Sequence, residues 1–231
     1  SSRYSQGTNV VAYQYGLVPE KARDGLLAYI VSMGFGCSTL LTLNLLQVLF
    51  ENGRGQTAFD LINRTEQPGW GHMIAKGYKT IWEGFQDKES HSHAWNAYPA
   101  RIFMEYLAGV KPAAPGFKEI VFKPFIPSGM EFAEAKVPSI RGEIFAGWEN
   151  TGGGMSYKLS VPDGTQGHVF IPKLQCGGKT IHESGAAIWE AGVFKSGSSA
   201  VEYLGEDAAH VKFKVGPGQY LFRVGEDQGR S

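Results

Sequence analysis

The hydrophobic period of this chain changes once, at the segment KPAAPG (111–116), and that switch divides it into two differently built parts. Ahead of it, apolar residues recur at three- and four-residue intervals, the spacing of one helix face. PEKARDGLLAYIVSMG has Pro19 and Glu20 at a helix start, Ala22, Leu26, Leu27 and Ile30 on one stripe, and Gly34 as a stop. STLLTLNLLQVLFENG is apolar on most sides, which predicts a helix enclosed by neighbours, with Ser38 or Thr39 as its cap and Asn52–Gly53 as its end. GQTAFDLINRT gives a third helix and HAWNAYPARIFMEYLAGV a fourth, with Pro99 in its first turn and Gly109 past its end. The short connections make these segments antiparallel hairpins.

After the switch the period is two. FKEIVFKPF, GEIFAGWEN, MSYKLSV, GHVFIP, KTIHES, VEYL, HVKFKV and GQYLFRV alternate apolar and polar residues between Gly, Pro, Asp and Ser breaks. Such spacing predicts an antiparallel β-sandwich of about eight strands. The expected order is therefore α then β, with a helical domain over 1–111 and a sandwich over 117–231.

Lys+Arg and Asp+Glu both number 22, so no net charge draws the chain to nucleic acid or an anionic membrane. The longest apolar run, near residues 40–50, is interrupted by Thr42, Asn44 and Gln47, which argues against a membrane span. No signal segment opens the chain, and the expected compartment stays open between cytoplasm and periplasm or secretion. Cys37 and Cys176 lie far apart in unlike segments and read as buried thiols, not a disulfide.

One stretch departs from both patterns. TIWEGFQDKESHSHAWNA (80–97) places Trp82–Glu83 on one side of a polar turn and His91–Ser92–His93 on the other. An indole beside a carboxylate suits a sugar site: an apolar face for the C–H side of the ring and an acid for the acetal. Read locally, Glu83 is either that acid or a solvated loop residue. His91 and His93 are either pocket residues that bind hydroxyls or orient a carboxylate, or caps of the following helix. Trp70 and Trp95 are platforms or core plugs, whereas Trp148 and Trp189 read as sandwich packing. The remaining histidines have no metal-ligand spacing, so neither a metal nor a cofactor is expected.

Several segments carry a family pattern. GWGHMIAKGYKTIWEGF resembles the W-G-x-M-x-x-x-G-x-T-T-x-W-E segment of bacterial α-L-rhamnosidases, glycoside hydrolase family 78. SHSHAWNAYPARIFMEYLAGV resembles the helix that follows it, PGFKEIVFKPF the entry to the C-terminal sandwich, and SIRGEIFAGWE a hairpin within it. GLVPEKARDGLLAYI and MGFGCSTLLTLNLLQVLFENG resemble late helices of the family's (α/α)6 toroid. The resemblance implies a partial six-hairpin toroid followed by the sandwich. Its activity would be that of an inverting exo-glycosidase removing terminal α-L-rhamnose. It places the general base on Glu83 and a sugar contact on His93, and leaves His91 at a variable position. Lys79 departs from the pattern, giving K-T where T-T is usual.

An inverting glycosidase needs two carboxyl groups roughly 6.5–9.5 Å apart. The resemblance puts the acid in an acidic, glycine-containing loop well upstream, and no segment before Glu83 resembles it. The chain is thus expected to be the C-terminal part of such an enzyme, inactive alone and inclined to dimerise or to associate with the missing toroid. Apolar positions such as Leu41, Leu45 and Val48 are expected to lie uncovered. The competing readings are another six-hairpin glycosidase or unsaturated-uronyl hydrolase, and a non-catalytic sugar-binding module. The uronyl reading needs a basic clamp, and the catalytic stretch offers only Lys76, Lys79 and Lys88.

Overall fold

The computed structural model describes residues 5–87, 90–151, 154–173, 180–195 and 200–225. They fall into two compact units, 1–102 and 103–231.

The first unit is helical: α1 Gln6–Gln14, α2 Glu20–Ser32, α3 Thr42–Glu51, α4 Gly55–Asn63, α5 Trp70–Ala75 and α6 Tyr98–Ile102, with 3-10 turns at Thr39–Leu41 and Ala94–Asn96. Helix α3 is its centre, packing on α1, α4 and α6 and burying Leu45, Leu46, Val48 and Leu49. Two of the polar residues that interrupt its apolar run face α1, while Thr42 donates to Thr39 O. Asn44 Nδ2 donates to Gln14 Oε1 at 2.6 Å, and Gln14 Nε2 to Gln47 Oε1 at 3.2 Å. The expectation of uncovered Leu45 and Val48 is corrected here, because α1 and α4 cover them; Leu41 is half-buried. The exposed apolar residues of this unit are others, among them Leu17, Leu40 and Ile74.

Helix α1 was not evident in the sequence. Ser5 caps it, its hydroxyl accepting from Thr8 N. Buried Gln6 then donates to the carbonyls of Ile30 and Gly34 at 2.8 and 2.7 Å, satisfying acceptors left open at the end of α2. The long fourth helix is in fact three pieces: the 3-10 turn at Ala94–Asn96, α6, and a π turn over Phe103–Leu107. Pro99 is the second residue of α6, where its missing N–H costs no helical bond.

In the second unit, β1 Val110–Pro112, β2 Glu119–Phe122, β6 Gln166–Pro172, β11 His210–Val215 and β10 Val201–Glu206 form one sheet, in the order β1-β2-β6-β11-β10. The second sheet runs β3-β4-β5-β12-β7-β8-β9, from β3 Phe132–Ser139, β4 Gly142–Asn150, β5 Met155–Val161, β12 Gly218–Gly225, β7 Thr180–Glu183, β8 Ala186–Glu190 and β9 Val193–Phe194. Pairings are antiparallel except β2–β6, which is parallel. Buried residues alternate along the strands, and Phe213 of one sheet stacks on Phe222 of the other at 5.8 Å. Trp148 Nε1 donates to Leu107 O at 2.7 Å and Tyr157 Oη to Ala108 O at 3.2 Å, tying the π turn to the second sheet. Gly109 follows with φ +81°, and a Cβ there would stand 2.3 Å from Pro124 N.

Candidate functional site

Three loops of the helical unit lie between α2 and α3, between α4 and α5, and between α5 and α6. The connections 15–19 and 52–54 are tight turns, so alternation of antiparallel helices brings the first two long loops to one end. Gln67 joins the second and third loops, its Nε2 donating to Phe85 O at 2.8 Å.

The loop over 81–93 doubles back on itself, with Glu83 N donating to Ser90 O at 2.7 Å and His93 N to Ile81 O at 2.8 Å. That fold sets the Glu83 and His93 side chains side by side, Oε2 and Nε2 3.9 Å apart. The spacing is too long for a direct hydrogen bond and within reach of a bridging water. Both side chains meet solvent, Glu83 at 46% exposure and His93 at 29%. Trp95 lies edge-on to His93 at 5.9 Å and is 37% exposed.

Trp82 and Trp70 sit otherwise. Both are buried, at 0% and 4% exposure, so neither presents a ring face in this chain. Trp70 packs with Phe35 and Phe85, ring centroids 5.1–5.3 Å apart, and its Nε1 donates to Asn96 O at 2.9 Å. Trp82 is enclosed by Tyr78 and His91, and its carbonyl accepts from Asn96 Nδ2 at 2.9 Å. His91 stacks on the Trp82 indole rather than beside Glu83, with Nε2 3.1 Å from Asp87 Oδ1. The Lys76 ammonium, 3.1 Å from Asp87 Oδ2, and the Tyr78 hydroxyl hold the Asp87 carboxyl below its ordinary pKa. Lys88, the third cation of this stretch, lies outside the described residues.

Sequence reading missed Asn96, Asp87 and Tyr78. The one signal for Asn96 was an amide among small and aromatic residues in HAWNA; Asp87 and Tyr78 looked like ordinary loop residues. Buried polar atoms without a hydrogen-bond partner gather in the same stretch, namely Trp82 Nε1, His91 Nε2, His93 Nδ1 and Asn96 Oδ1; the 3.1 Å approach of His91 Nε2 to Asp87 is a charge contact and not an aligned hydrogen bond. Such atoms are rare in packed interiors and concentrate where structure serves chemistry. Among the described residues no group of three or more His, Cys, Asp or Glu is placed to hold a metal.

A cleft of about 740 Å³ opens beside this loop, lined by residues of 35–39, 67–68 and 84–86. Neither Glu83 nor His93 lines it, so this cleft and the acid–imidazole pair are neighbours, not one site. Cys37 borders it half-buried, not fully buried as expected, and burial pushes its thiol pKa up to about 11. Cys176 lies outside the described residues.

The family model for the bacterial alpha-L-rhamnosidase 6 hairpin glycosidase domain matches residues 2–107, and that for the bacterial alpha-L-rhamnosidase C-terminal domain matches 109–185. The chain belongs to the bacterial α-L-rhamnosidase family. An α-L-rhamnosidase of Streptomyces avermitilis is 31% identical over 185 residues, covering 73% of this chain and 18% of that protein. One from Alteromonas sp. (strain LOR) is 29% identical over 175 residues, covering 68% and 19%. The solved α-L-rhamnosidase of Dictyoglumus thermophilum superposes with a TM-score of 0.86 at 26% identity, over 96% of this chain and 25% of that one. This member of the family thus spans about a fifth to a quarter of the length of the rhamnosidases it matches. The likeness establishes a helical six-hairpin part followed by a C-terminal β domain. Among the described residues no helix is long and apolar enough to cross a membrane.

Proposed function

We propose that this chain is the C-terminal part of an inverting exo-glycosidase that hydrolyses terminal α-L-rhamnose, with Glu83 as the general base. The observation that supports this most directly is the Glu83–His93 pair, solvent-accessible and 3.9 Å apart on a loop anchored by a buried tryptophan. A base must be held, oriented and open to water; Glu83 meets solvent, and its backbone is held by the bond from its N–H to Ser90 O at 2.7 Å. His93 binds a sugar hydroxyl or steers the carboxylate. Trp95, the exposed indole of the loop, supplies the apolar wall. Residues 1–111 form the late part of the toroid and 117–231 the sandwich.

The general acid lies outside this chain. An acid catalyst must keep its proton near the working pH, which requires a raised pKa. Asp87, the next carboxyl along the loop from Glu83, has the opposite shift. The exposed apolar residues of the helical unit, Leu17, Leu40 and Ile74, become covered when the remaining hairpins are present or when two chains associate.

The test is hydrolysis of an aryl α-L-rhamnoside. The full-length protein carrying this segment turns it over, and Glu83→Gln lowers kcat at least about 10²-fold with KM little changed. The isolated chain shows no turnover. Near-normal kcat in Glu83→Gln means another group activates the water; robust turnover by the isolated chain means the acid lies within it.

A further inference from the structure

Among the described residues the polar side chain set against the Glu83 carboxylate is that of His93, 3.9 Å away and too far for a direct hydrogen bond. Its position is inherited from Trp82, the residue before it. That indole is held from several sides. The Tyr78 ring meets it edge-on at 4.8 Å, His72 edge-on at 6.3 Å, and His91 lies nearly parallel to it at 4.9 Å with an interplanar angle of 28°. His91 is in turn set by Asp87, whose Oδ1 is 3.1 Å from Nε2, and Asp87 is anchored by Lys76 Nζ at 3.1 Å and Tyr78 Oη at 3.3 Å. Tyr78 also packs edge-on to His91 at 4.7 Å, so Tyr78, Asp87 and His91 each touch the other two, and two of them touch Trp82.

We propose that Asp87 and His91 are positioning residues that act as one clamp on Trp82 and thereby aim the Glu83 carboxylate, an inference that rests on Glu83 being the general base. Stacking fixes the plane of the indole, and the Asp87 carboxylate, 3.1 Å from His91 Nε2 but not in line for a hydrogen bond, holds the imidazole in place by its charge and proximity. A charge on the imidazole strengthens both contacts, one with the carboxylate and one with the ring face. Loss of the clamp leaves the fold of the helices intact, because the Trp82 carbonyl is still held by Asn96 and the loop by its backbone bonds. What it removes is the fixed direction of the side chain that follows. A sub-ångström to ångström displacement of a catalytic group costs rate and leaves ground-state binding unchanged.

The test is a mutant cycle in the full-length protein with an aryl α-L-rhamnoside. His91→Phe keeps a stacking ring and breaks the link to Asp87; Asp87→Asn keeps the shape and removes the charge. Each is expected to lower kcat about 10-fold with KM unchanged. The double variant should be no worse than either single one, because the two residues act as a unit. In a Glu83→Gln background neither substitution should lower kcat further, whereas a merely structural role would multiply through. Unchanged affinity for free L-rhamnose checks that the variants are folded. Wild-type kcat in His91→Phe, multiplicative loss in the double variant, or a further loss in the Glu83→Gln background overturns the clamp. Near-normal kcat in Glu83→Gln itself overturns the assignment of the base, a separate failure read from a separate variant.

Discussion

Asn96 is the residue whose replacement most directly tests how the candidate site is built. It is fully buried, and its Nδ2 donates to the Trp82 carbonyl at 2.9 Å, pinning the residue before Glu83 to the 3-10 turn at Ala94–Asn96. Asn96→Ala removes that bond and leaves a buried carbonyl without a partner. The lost bond is worth about 0.5–1.5 kcal/mol and the stranded acceptor about 1–3 kcal/mol. Against this, Asn96 Oδ1 has no partner in the native fold, and deleting it returns a desolvation cost of similar kind. The net destabilisation is about 1–2 kcal/mol, five- to thirtyfold in the folded ratio. For a helical unit of this size that lowers Tm by about 4–16 °C. Asn96→Asp is the control: it keeps the shape but sets a carboxylate against a carbonyl, and should cost more than alanine. The bond from Trp70 Nε1 to the Asn96 backbone carbonyl survives both changes, so the Trp70 environment reports whether the fold is retained. Thermal melts followed by tryptophan fluorescence measure the effect. A shift below about 1 °C for Asn96→Ala, or Asn96→Asp no worse than Asn96→Ala, refutes the assignment of Asn96 as the pin.

Gly109→Ala should unfold the sandwich unit, since φ is +81° and the new Cβ would meet backbone atoms of Lys123 and Pro124 within 2.6 Å; an unchanged melt of that unit refutes it. Trp148→Phe strands the Leu107 carbonyl and should cost about 1–3 kcal/mol, read as a lowered denaturant midpoint. Cys37, with its thiol pKa raised from 9.0 to about 11, should alkylate about 100-fold more slowly at pH 8 than a solvated thiol in an unfolded control. By linkage that raised pKa gives stability fully present below pH 9 and lost as pH climbs towards 11, so Cys37→Ala should flatten the alkaline decline. Asp87 carries the opposite sign: its pKa is lowered, mainly by the bond from Lys76, so its contribution is present above about pH 4 and lost as acid protonates it. Lys76→Met should move that acid transition to higher pH, followed by the Trp82 signal.

The change of period at 111–116 made the α-then-β order legible, because periodicity is imposed by the geometry of burial and needs no knowledge of partners. Helix ends were legible where one residue type is required, as at Gly34 and Gly109, both at positive φ. Helix α1 was not, because its stability comes from covering α3 and from Gln6 capping α2, contacts reaching 24 and 28 residues along the chain. The parallel β2–β6 pair was equally hidden: alternation tells which face is buried and says nothing of strand direction.

The site shows the same division more sharply. Glu83 and His93 stood out in the sequence because their chemistry is unusual for a loop. Trp82 could not be told from Trp95, since a sugar platform and a buried brace use the same indole, and only packing separates 0% from 37% exposure. The parts that hold the site, Asn96, Asp87 and Tyr78, have nothing unusual in type or spacing. Their roles come from atoms they meet across 9 to 14 residues of folded chain. On the proposed reading, the motif marks the groups that react, while the groups that would aim them are chosen by fit to a neighbour. It follows that swapping only Glu83, His93 and Trp95 into a related loop should transfer little rate. The transfer requires Tyr78, Asp87, His91 and Asn96 as well. A three-residue graft whose kcat matches that of the seven-residue graft would show that the backbone bonds of the loop alone suffice to aim the base.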